Sequence, residues 1–204
     1  MVIKAIAWHE VCLNIIEMEK IMDKKGFTLV EAMVVIAVIG IAVAVAVPNI
    51  VGWMPEYRLK RAARDLYSAM QSTKMGAIKN NSSWAIVFDS ATSRYFICSD
   101  SGADATWSTT ADNTIVSTIP FPGYGSGINY GHGIATTNAT VSGGAFPANN
   151  ISYNSNVLVF NSIGRGSAGY VYIQNDQGTS YTVGTGSSGS ILLRKWYANP
   201  GNWI

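Results

Sequence analysis

The chain has 204 residues, of which 48% are apolar and 13% charged, and its formal net charge is +2. This length allows one domain of ordinary size plus an appendage, and the composition is too apolar and too sparsely charged for a disordered protein. In residues 81–204 the few Lys and Arg are balanced by Asp and Glu. A dedicated nucleic-acid-binding domain is therefore disfavoured, because such domains usually carry a basic surface.

Residues 27–51 form a long apolar stretch, with Glu31 as its one charge and Pro48 as its one proline. About 20 mostly apolar residues suffice to cross a bilayer as a helix. Lys24 and Lys25 come immediately before this stretch, so the positive-inside tendency puts the N-terminus in the cytoplasm and the rest of the chain outside. We therefore expect a single membrane-spanning helix that carries an extracytoplasmic head.

Three interpretations of the apolar stretch compete. An ordinary secretory signal would be cut after the small residues Ala42-Val43-Ala44, whereas a signal anchor would never be cut. Glu31 argues against both, because an acidic residue costs roughly 2.5–3.5 kcal/mol at the centre of a membrane helix, less near its end, and usually marks function. We therefore expect the carboxylate of Glu31 to have a partner.

The run Lys24-Lys25-Gly26-Phe27-Thr28-Leu29-Val30-Glu31 resembles the cleavage and methylation motif of type IV prepilins and type II secretion pseudopilins. The resemblance implies that a membrane aspartyl peptidase, the prepilin peptidase, cuts after Gly26 and methylates the new amino terminus at Phe27. It implies that Glu31 attracts the α-amine of Phe27, in its own chain or in a neighbouring subunit, during filament assembly. Pro48 lies where helices of this family carry a proline that kinks or locally melts the rod.

The resemblance also divides the chain. Residues 1–26 become a leader peptide, residues 27–80 the N-terminal helix, with 27–51 in the membrane or the filament core, and residues 81–204 the periplasmic head. The leader is longer than the short basic peptide that is usual in the family. Met18 or Met22 would give a more ordinary start than Met1.

Residues 56–80 show apolar side chains at a helical period, so we expect one face of this helix to pack on the head. The members of that face are Leu59, Ala62, Ala63, Leu66, Tyr67, Ala69, Met70, Ala77 and Ile78. We expect the opposite face to be solvated, with phosphate or acidic groups of neighbouring subunits as alternative partners. That face carries Arg58, Lys60, Arg61, Arg64 and Lys74.

Beyond Asn80, short runs of aromatic and β-branched residues alternate with Gly, Ser, Asn and Asp, which is typical of strands and turns. We predict an α+β fold in which the long transmembrane helix packs on an antiparallel, β-rich, pilin-like head. Strands are predicted at 84–88, 94–98, 157–160, 169–175, 180–183 and 190–196, with a hairpin turn at 89–93. Residues 101–156 are predicted to be surface loops or a variable insertion, with one strand at 115–119.

The C-terminal part contains apolar strands joined by glycine turns. They are Val159-Phe160-Asn161-Ser162-Ile163-Gly164, Gly169-Tyr170-Val171-Tyr172-Ile173, Tyr181-Thr182-Val183 and Gly189-Ser190-Ile191. This pattern resembles the head of the GspH/FimT group of minor pseudopilins and pilins, over residues 157–196. The resemblance implies a minor subunit of a type II secretion pseudopilus or a type IV pilus, with no enzymatic activity and no cofactor.

The partners that this resemblance implies are the prepilin peptidase, other pilin or pseudopilin subunits, the inner-membrane assembly platform and the lipid bilayer. The protein would lie in the inner membrane with its head in the periplasm, and later in the filament. A major pilin is an alternative. Many major pilins, however, staple a C-terminal loop with two cysteines, and only Cys98 remains after removal of a leader that contains Cys12.

DNA capture is a further alternative, because some FimT-like minor pilins are thought to bind DNA through basic residues near the C-terminus. Arg194 and Lys195 are the candidate DNA contacts here. Trp196, Tyr197 and Trp203 could stack on bases, although aromatic residues at a chain end more often pack on a head or a neighbouring subunit.

The sequence contains no recognisable motif for catalysis, metal binding or phosphate binding. His132 is predicted to be a solvated loop residue, and Cys98 a buried core residue without function. Gly164-Arg165-Gly166-Ser167 lacks the lysine and helix of a phosphate-binding loop, so we predict a turn. Asp100, Asp104 and Asp112 fit no calcium-loop spacing. We predict no catalytic residue and no metal site.

Overall fold

The computed structural model describes residues 26–125, 127–140 and 143–204, and within these the side chains of all but residues 48–51. The predicted leader, apart from Gly26, and the alternative start codons lie outside the described residues. A long helix comes first and β-strands follow it. The elements are α1 (Leu29–Lys79), β1 (Trp84–Asp89), β2 (Arg94–Asp100), β3 (Thr114–Pro120), β4 (Asn129–Tyr130), β5 (Val157–Phe160), β6 (Gly169–Gln174), β7 (Ser180–Thr185), β8 (Ile191–Tyr197) and β9 (Asn202–Trp203), with 3-10 turns at Phe121–Tyr124 and Asn154–Asn156.

The chain divides into two compact units, one ending at Asn49 and the other beginning at Ile50. In the first unit α1 begins at Leu29, and from there to Val47 every side chain is exposed. This stretch is the one helical segment of the described chain that is long and apolar enough to cross a membrane. The second unit, residues 50–204, contains the rest of α1 and all nine strands named above; it is called the globular unit.

Two antiparallel sheets form the β-rich part of the globular unit. One sheet has the strand order β3-β2-β1-β5, and the other has the order β4-β6-β7-β8-β9. Every paired strand runs antiparallel to its neighbour. The predicted α+β architecture, a long N-terminal helix with an antiparallel β-rich head, is therefore confirmed.

The predicted strands lie close to the observed ones. β5 coincides with the predicted 157–160, and the hairpin turn after β1 is confirmed because Asp89 pairs with Arg94 at its base. β4 and β9 have no counterpart among the predictions. Each has only two residues, and β9 exists through the pairing of Trp203 with Trp196 on β8, which local sequence does not reveal.

The second half of α1 buries one face against the sheets. Leu59, Leu66 and Met70 are fully buried there and belong to the main core together with strand residues such as Ile86 and Phe160. Ala62, Ala63, Ala69 and Ala77 of the predicted face are buried as well, and Tyr67 packs against the core. The prediction fails at Ile78, which is 48% exposed.

The loop-rich region 101–156 contributes to the core, so its prediction as surface loops or an insertion is wrong in part. Phe121, Ile128, Ile151 and Tyr153 from this region are buried in the main core. The ring of Tyr153 stacks on Phe88 at a centroid distance of 5.6 Å. The predicted strand at 115–119 is confirmed as β3. Isolated aromatic residues between Gly, Ser and Asn give no periodic signal, and their burial is decided by the sheets around them.

A second, smaller cluster lies on the other face of the four-stranded sheet. Phe96, Cys98 and Val157 are buried there with Ala85 and Val87, and Trp107 packs against them from the loop before β3. Cys98 is a free thiol and is buried, as predicted. Burial raises its pKa, which makes it less reactive than an ordinary cysteine.

Candidate functional site

The candidate cleavage site lies just before α1. Gly26, Phe27 and Thr28 are outside the helix and exposed. The hydroxyl of Thr28 accepts the backbone N–H of Glu31 at 3.2 Å, and its carbonyl accepts the N–H of Ala32 at 3.1 Å. Thr28 is therefore the N-cap of the helix, and the bond between Gly26 and Phe27 lies in exposed, non-helical backbone directly before it.

Glycine at position 26 has no steric reason within the described chain. A Cβ atom added to Gly26 would meet nothing within 4 Å, and no unusual backbone angle occurs there that would favour glycine. Positions such as Gly164, with a φ of 77°, do have such a reason.

Glu31 occupies the first turn of α1, where the helix dipole favours negative charge. The spacing Thr28-x-x-Glu31 matches a capping box, and the structure forms the half in which Thr28 caps the helix. The ion pairs of the described residues are Arg61–Asp65, Arg94–Asp89 and Lys195–Glu56, and none involves Glu31. In the uncut chain Phe27 has no α-amine, so the predicted partnership between the two residues stays a prediction.

The apolar half of α1 is exposed all around its axis. Every side chain from Leu29 to Val47 is exposed; the exposed fractions of Val30, Ile36, Ile41 and Val45, for example, are 68%, 70%, 69% and 71%. Because successive residues differ by about 100° around a helix, these side chains cover all of its faces. A helix that is apolar on every face needs apolar surroundings. The backbone remains helical through Pro48. Its predicted kink stays a prediction.

The two candidate DNA contacts do not share a surface. Arg194 and Lys195 are adjacent on β8, so their side chains point to opposite faces of the sheet. The Lys195 ammonium forms an ion pair with Glu56 of α1, and this hydrogen bond raises the pKa of Lys195. The Arg194 guanidinium donates to the carbonyl of Ala139 at 3.3 Å. The structure therefore does not bring these cations together, and their contact with DNA stays a prediction.

The C-terminal aromatic residues pack on the head. Trp196 is buried, and its ring lies 5.4 Å from that of Trp203. The Trp203 indole N–H donates to the carbonyl of Thr137 at 2.7 Å. Packing on the head is confirmed for these two residues, whereas Tyr197 is 44% exposed.

The basic face of α1 is solvated only in part. Lys60, Arg61 and Arg64 are exposed, as predicted. Lys74 is not, because its ammonium donates to the carbonyl of Gly189 at 2.9 Å in a partly buried contact. The prediction for Lys74 is wrong because a long aliphatic stem lets a charged group reach a turn in the neighbouring sheet.

The remaining polar motifs have structural roles. The turn predicted at 164–167 lies slightly earlier, at 161–164 between β5 and β6, where the Gly164 N–H donates to the Asn161 carbonyl at 2.9 Å; Gly166 already bridges to Phe160. His132 is not simply solvated, since its ring stacks on Phe146 at 3.9 Å and contacts Asn150 at 2.7 Å. Within the described ranges, no three His, Cys, Asp or Glu side chains come together as metal ligands.

Comparison with known proteins supports the N-terminal motif. The model of the prokaryotic N-terminal methylation motif matches residues 21–47, which include Gly26, Phe27 and Glu31. The prediction that this segment carries a prepilin-type methylation motif is therefore confirmed.

Other comparisons are more distant. Two structures of the minor pseudopilin EpsH from the type II secretion system of Vibrio cholerae are similar to this chain at 13% identity, with TM-scores of 0.45 and 0.43. Each alignment covers 67% of this chain, and 95% and 92% of the EpsH chains. A search of curated proteins finds no relative.

Proposed function

We propose that this chain is a minor pseudopilin or pilin subunit. It is cut after Gly26, methylated at Phe27, and carried by its apolar helix first in the inner membrane and then in a type II secretion pseudopilus or a type IV pilus. One observation carries the proposal: the methylation motif leads directly into a helix whose side chains from Leu29 to Val47 are all exposed.

The geometry before the helix supports cleavage at this position. The bond after Gly26 is exposed and non-helical, and the helix begins two residues later under the Thr28 cap. A peptidase could therefore reach the bond without unwinding α1. Cleavage would leave Phe27 as the first residue and keep the whole apolar stretch, whereas cleavage after Ala44 would remove most of it.

The charge of Glu31 supports a role in assembly. Cleavage creates an α-amine at Phe27, which is mostly protonated at neutral pH because its ordinary pKa is about 7.7–8.0. Placing an unpaired carboxylate or ammonium in a membrane costs free energy, and pairing the two opposite charges lowers that cost. Pairing between neighbouring subunits would favour entry into a filament.

The globular unit would be the part exposed outside the membrane. We infer a structural rather than a catalytic role for it, with neighbouring subunits and the inner-membrane assembly platform as partners. The apolar helix is first covered by lipid and later by the helices of other subunits. DNA capture would need another surface, because Arg194 and Lys195 point to opposite faces of β8 and cannot bind one DNA strand together.

A pair of matched variants tests the cleavage site. Gly26→Leu and Ala44→Leu each put the same bulky side chain before one of the two competing sites. Produced with a prepilin peptidase, Gly26→Leu should accumulate at the uncut length, whereas Ala44→Leu should be processed like the unmodified chain. If Ala44→Leu blocks processing and Gly26→Leu does not, the segment is an ordinary secretory signal and the proposal is wrong.

A further inference from the structure

The outer edge of β3 is long and uncovered. β3 is the last strand of the four-stranded sheet, and within the described chain its backbone pairs only with β2. None of its seven residues, Thr114–Pro120, is charged, and most are β-branched. Proteins usually protect such edges with charges, a proline, a bulge, a covering loop or a very short strand.

The other sheet edges of the globular unit are protected in these ways. β5 is covered by its own chain, since the Ser167 N–H donates to the Val159 carbonyl at 3.0 Å and Gly166 bridges to Phe160. β4 and β9 have two residues each. Among the described edge strands, β3 is the long and uncovered one, and its protection is limited to Pro120 at its end and the bulged pairing near Cys98. Its pairing with β2 is irregular only near Cys98 and is regular from Ser117 to Pro120.

A groove of about 330 Å³ lies beside this edge, between α1 and the sheet. Small residues of α1 form one wall, and apolar residues of β2 and β3 form the other. The wall residues are Asp65, Ser68, Ala69 and Ser72 on α1, Tyr95, Ile97 and Ile119 on the sheet, and Tyr124 in the turn after β3. Ser68 and Ser72 are exposed, so the groove is open to solvent.

We propose that β3 binds an extended segment of another polypeptide, which adds to the sheet as a strand and directs an apolar side chain into the groove. A row of backbone donors and acceptors at strand spacing matches an extended chain and neither a helix nor a nucleic acid. The uncharged edge agrees with this partner. Main-chain hydrogen bonds would supply the affinity, and the groove would select the inward-facing residues.

This site lies within the globular unit and does not depend on cleavage at Gly26. The test uses the full chain purified in detergent and a fluorescent peptide, Lys-Thr-Val-Thr-Val-Thr-Val-Lys. The same peptide with every internal amide N-methylated is the control for main-chain pairing. We expect saturable binding of the first peptide below about 1 mM, at least about tenfold weaker binding of the methylated one, and slower amide exchange at residues 116–119.

A matched pair of helix variants locates the site. Ser72→Phe should fill the groove and weaken binding about tenfold, whereas Met75→Phe, at a position that is 68% exposed, should leave binding unchanged. The proposal is wrong if neither peptide binds up to about 1 mM, if N-methylation or Ser72→Phe has no effect, or if only a peptide with the sequence of β3 itself binds. The last result would mean that the edge joins two copies of this chain.

Discussion

The two halves of α1 share one backbone structure but differ in how their side chains are covered. In the second half, Leu59, Leu66 and Met70 are fully buried against the sheets, whereas in the first half Val30 and Ile36 are 68% and 70% exposed. A helix satisfies its own backbone hydrogen bonds, but its apolar side chains need a separate cover. The described chain supplies that cover for the second half, whereas the first half needs apolar surroundings from elsewhere.

Truncation of a core residue should give the largest contrast between the halves. Leu66→Ala removes a fully buried side chain and should lower the free energy of unfolding of the globular unit by about 2–5 kcal/mol. Ile39→Ala, at a position that is 55% exposed, should change it by less than about 0.5 kcal/mol. Urea unfolding of the full chain in detergent measures both. Equal effects would mean that the first half is also packed within the chain.

A charge in the apolar half should act on membrane insertion instead. Val38→Arg lies near the middle of Leu29–Val47 and should disfavour insertion by roughly 2.5–3.5 kcal/mol. Met75→Arg in the second half, where the side chain is 68% exposed, is the matched control. The share of protein that stays with membranes after alkaline carbonate extraction should fall for Val38→Arg alone. A fall with both variants would remove the distinction between the halves.

Alkaline pH should unfold the globular unit and spare the first half of α1. Burial raises the pKa of Tyr124 to about 12 and raises the pKa values of Tyr95, Tyr130 and Tyr153 further. Unfolded tyrosine ionises near pH 10, so stability is unaffected well below pH 10. Above pH 10 the tyrosines of the unfolded chain lose their protons before those of the folded chain. Each buried tyrosine then lowers the free energy of unfolding by up to about 1.4 kcal/mol per pH unit.

The first half of α1 contains no tyrosine, which makes this pH response specific. Circular dichroism of the detergent-solubilised chain should show that strand signal disappears above pH 10 while part of the helical signal persists. Lys195 acts in the same direction, because its raised pKa stabilises the fold at lower pH and that stability is lost as the ammonium deprotonates. A globular unit that stayed folded with its tyrosines ionised would contradict their burial.

The helix cap should give the smallest effect. Thr28→Ala removes the hydroxyl that accepts the Glu31 N–H and should destabilise the first turn by about 1 kcal/mol. Amide exchange at residues 29–32 should become faster. Thr28→Ser keeps an equivalent hydroxyl and should retain slow exchange, so loss of protection in both variants would point to another cause than the cap.

The sequence predicts some parts of the structure better than others, and the difference is whether the signal is local or depends on distant contacts. The methylation motif was predictable because its glycine, aromatic residue and glutamate lie within eight consecutive positions, 24–31, whereas the Thr28 cap emerged only from the structure. β5 was predictable because four apolar residues stand between polar turns. Phe121 and Tyr153 were not, because each enters the core through contacts with distant strands. Lys74 was misassigned for the same reason, since its partner is the carbonyl of Gly189.

The position of the amino terminus tests the central claim most directly. Intact-mass and N-terminal analysis of the protein, purified from membranes that contain a prepilin peptidase, should give a chain that begins at Phe27 with one added methyl group. That result would leave the exposed half of α1 attached to the globular unit and available for a filament. A chain that begins after Ala44 or Ala46, or that keeps its leader, would contradict the assignment as a pilin-like subunit.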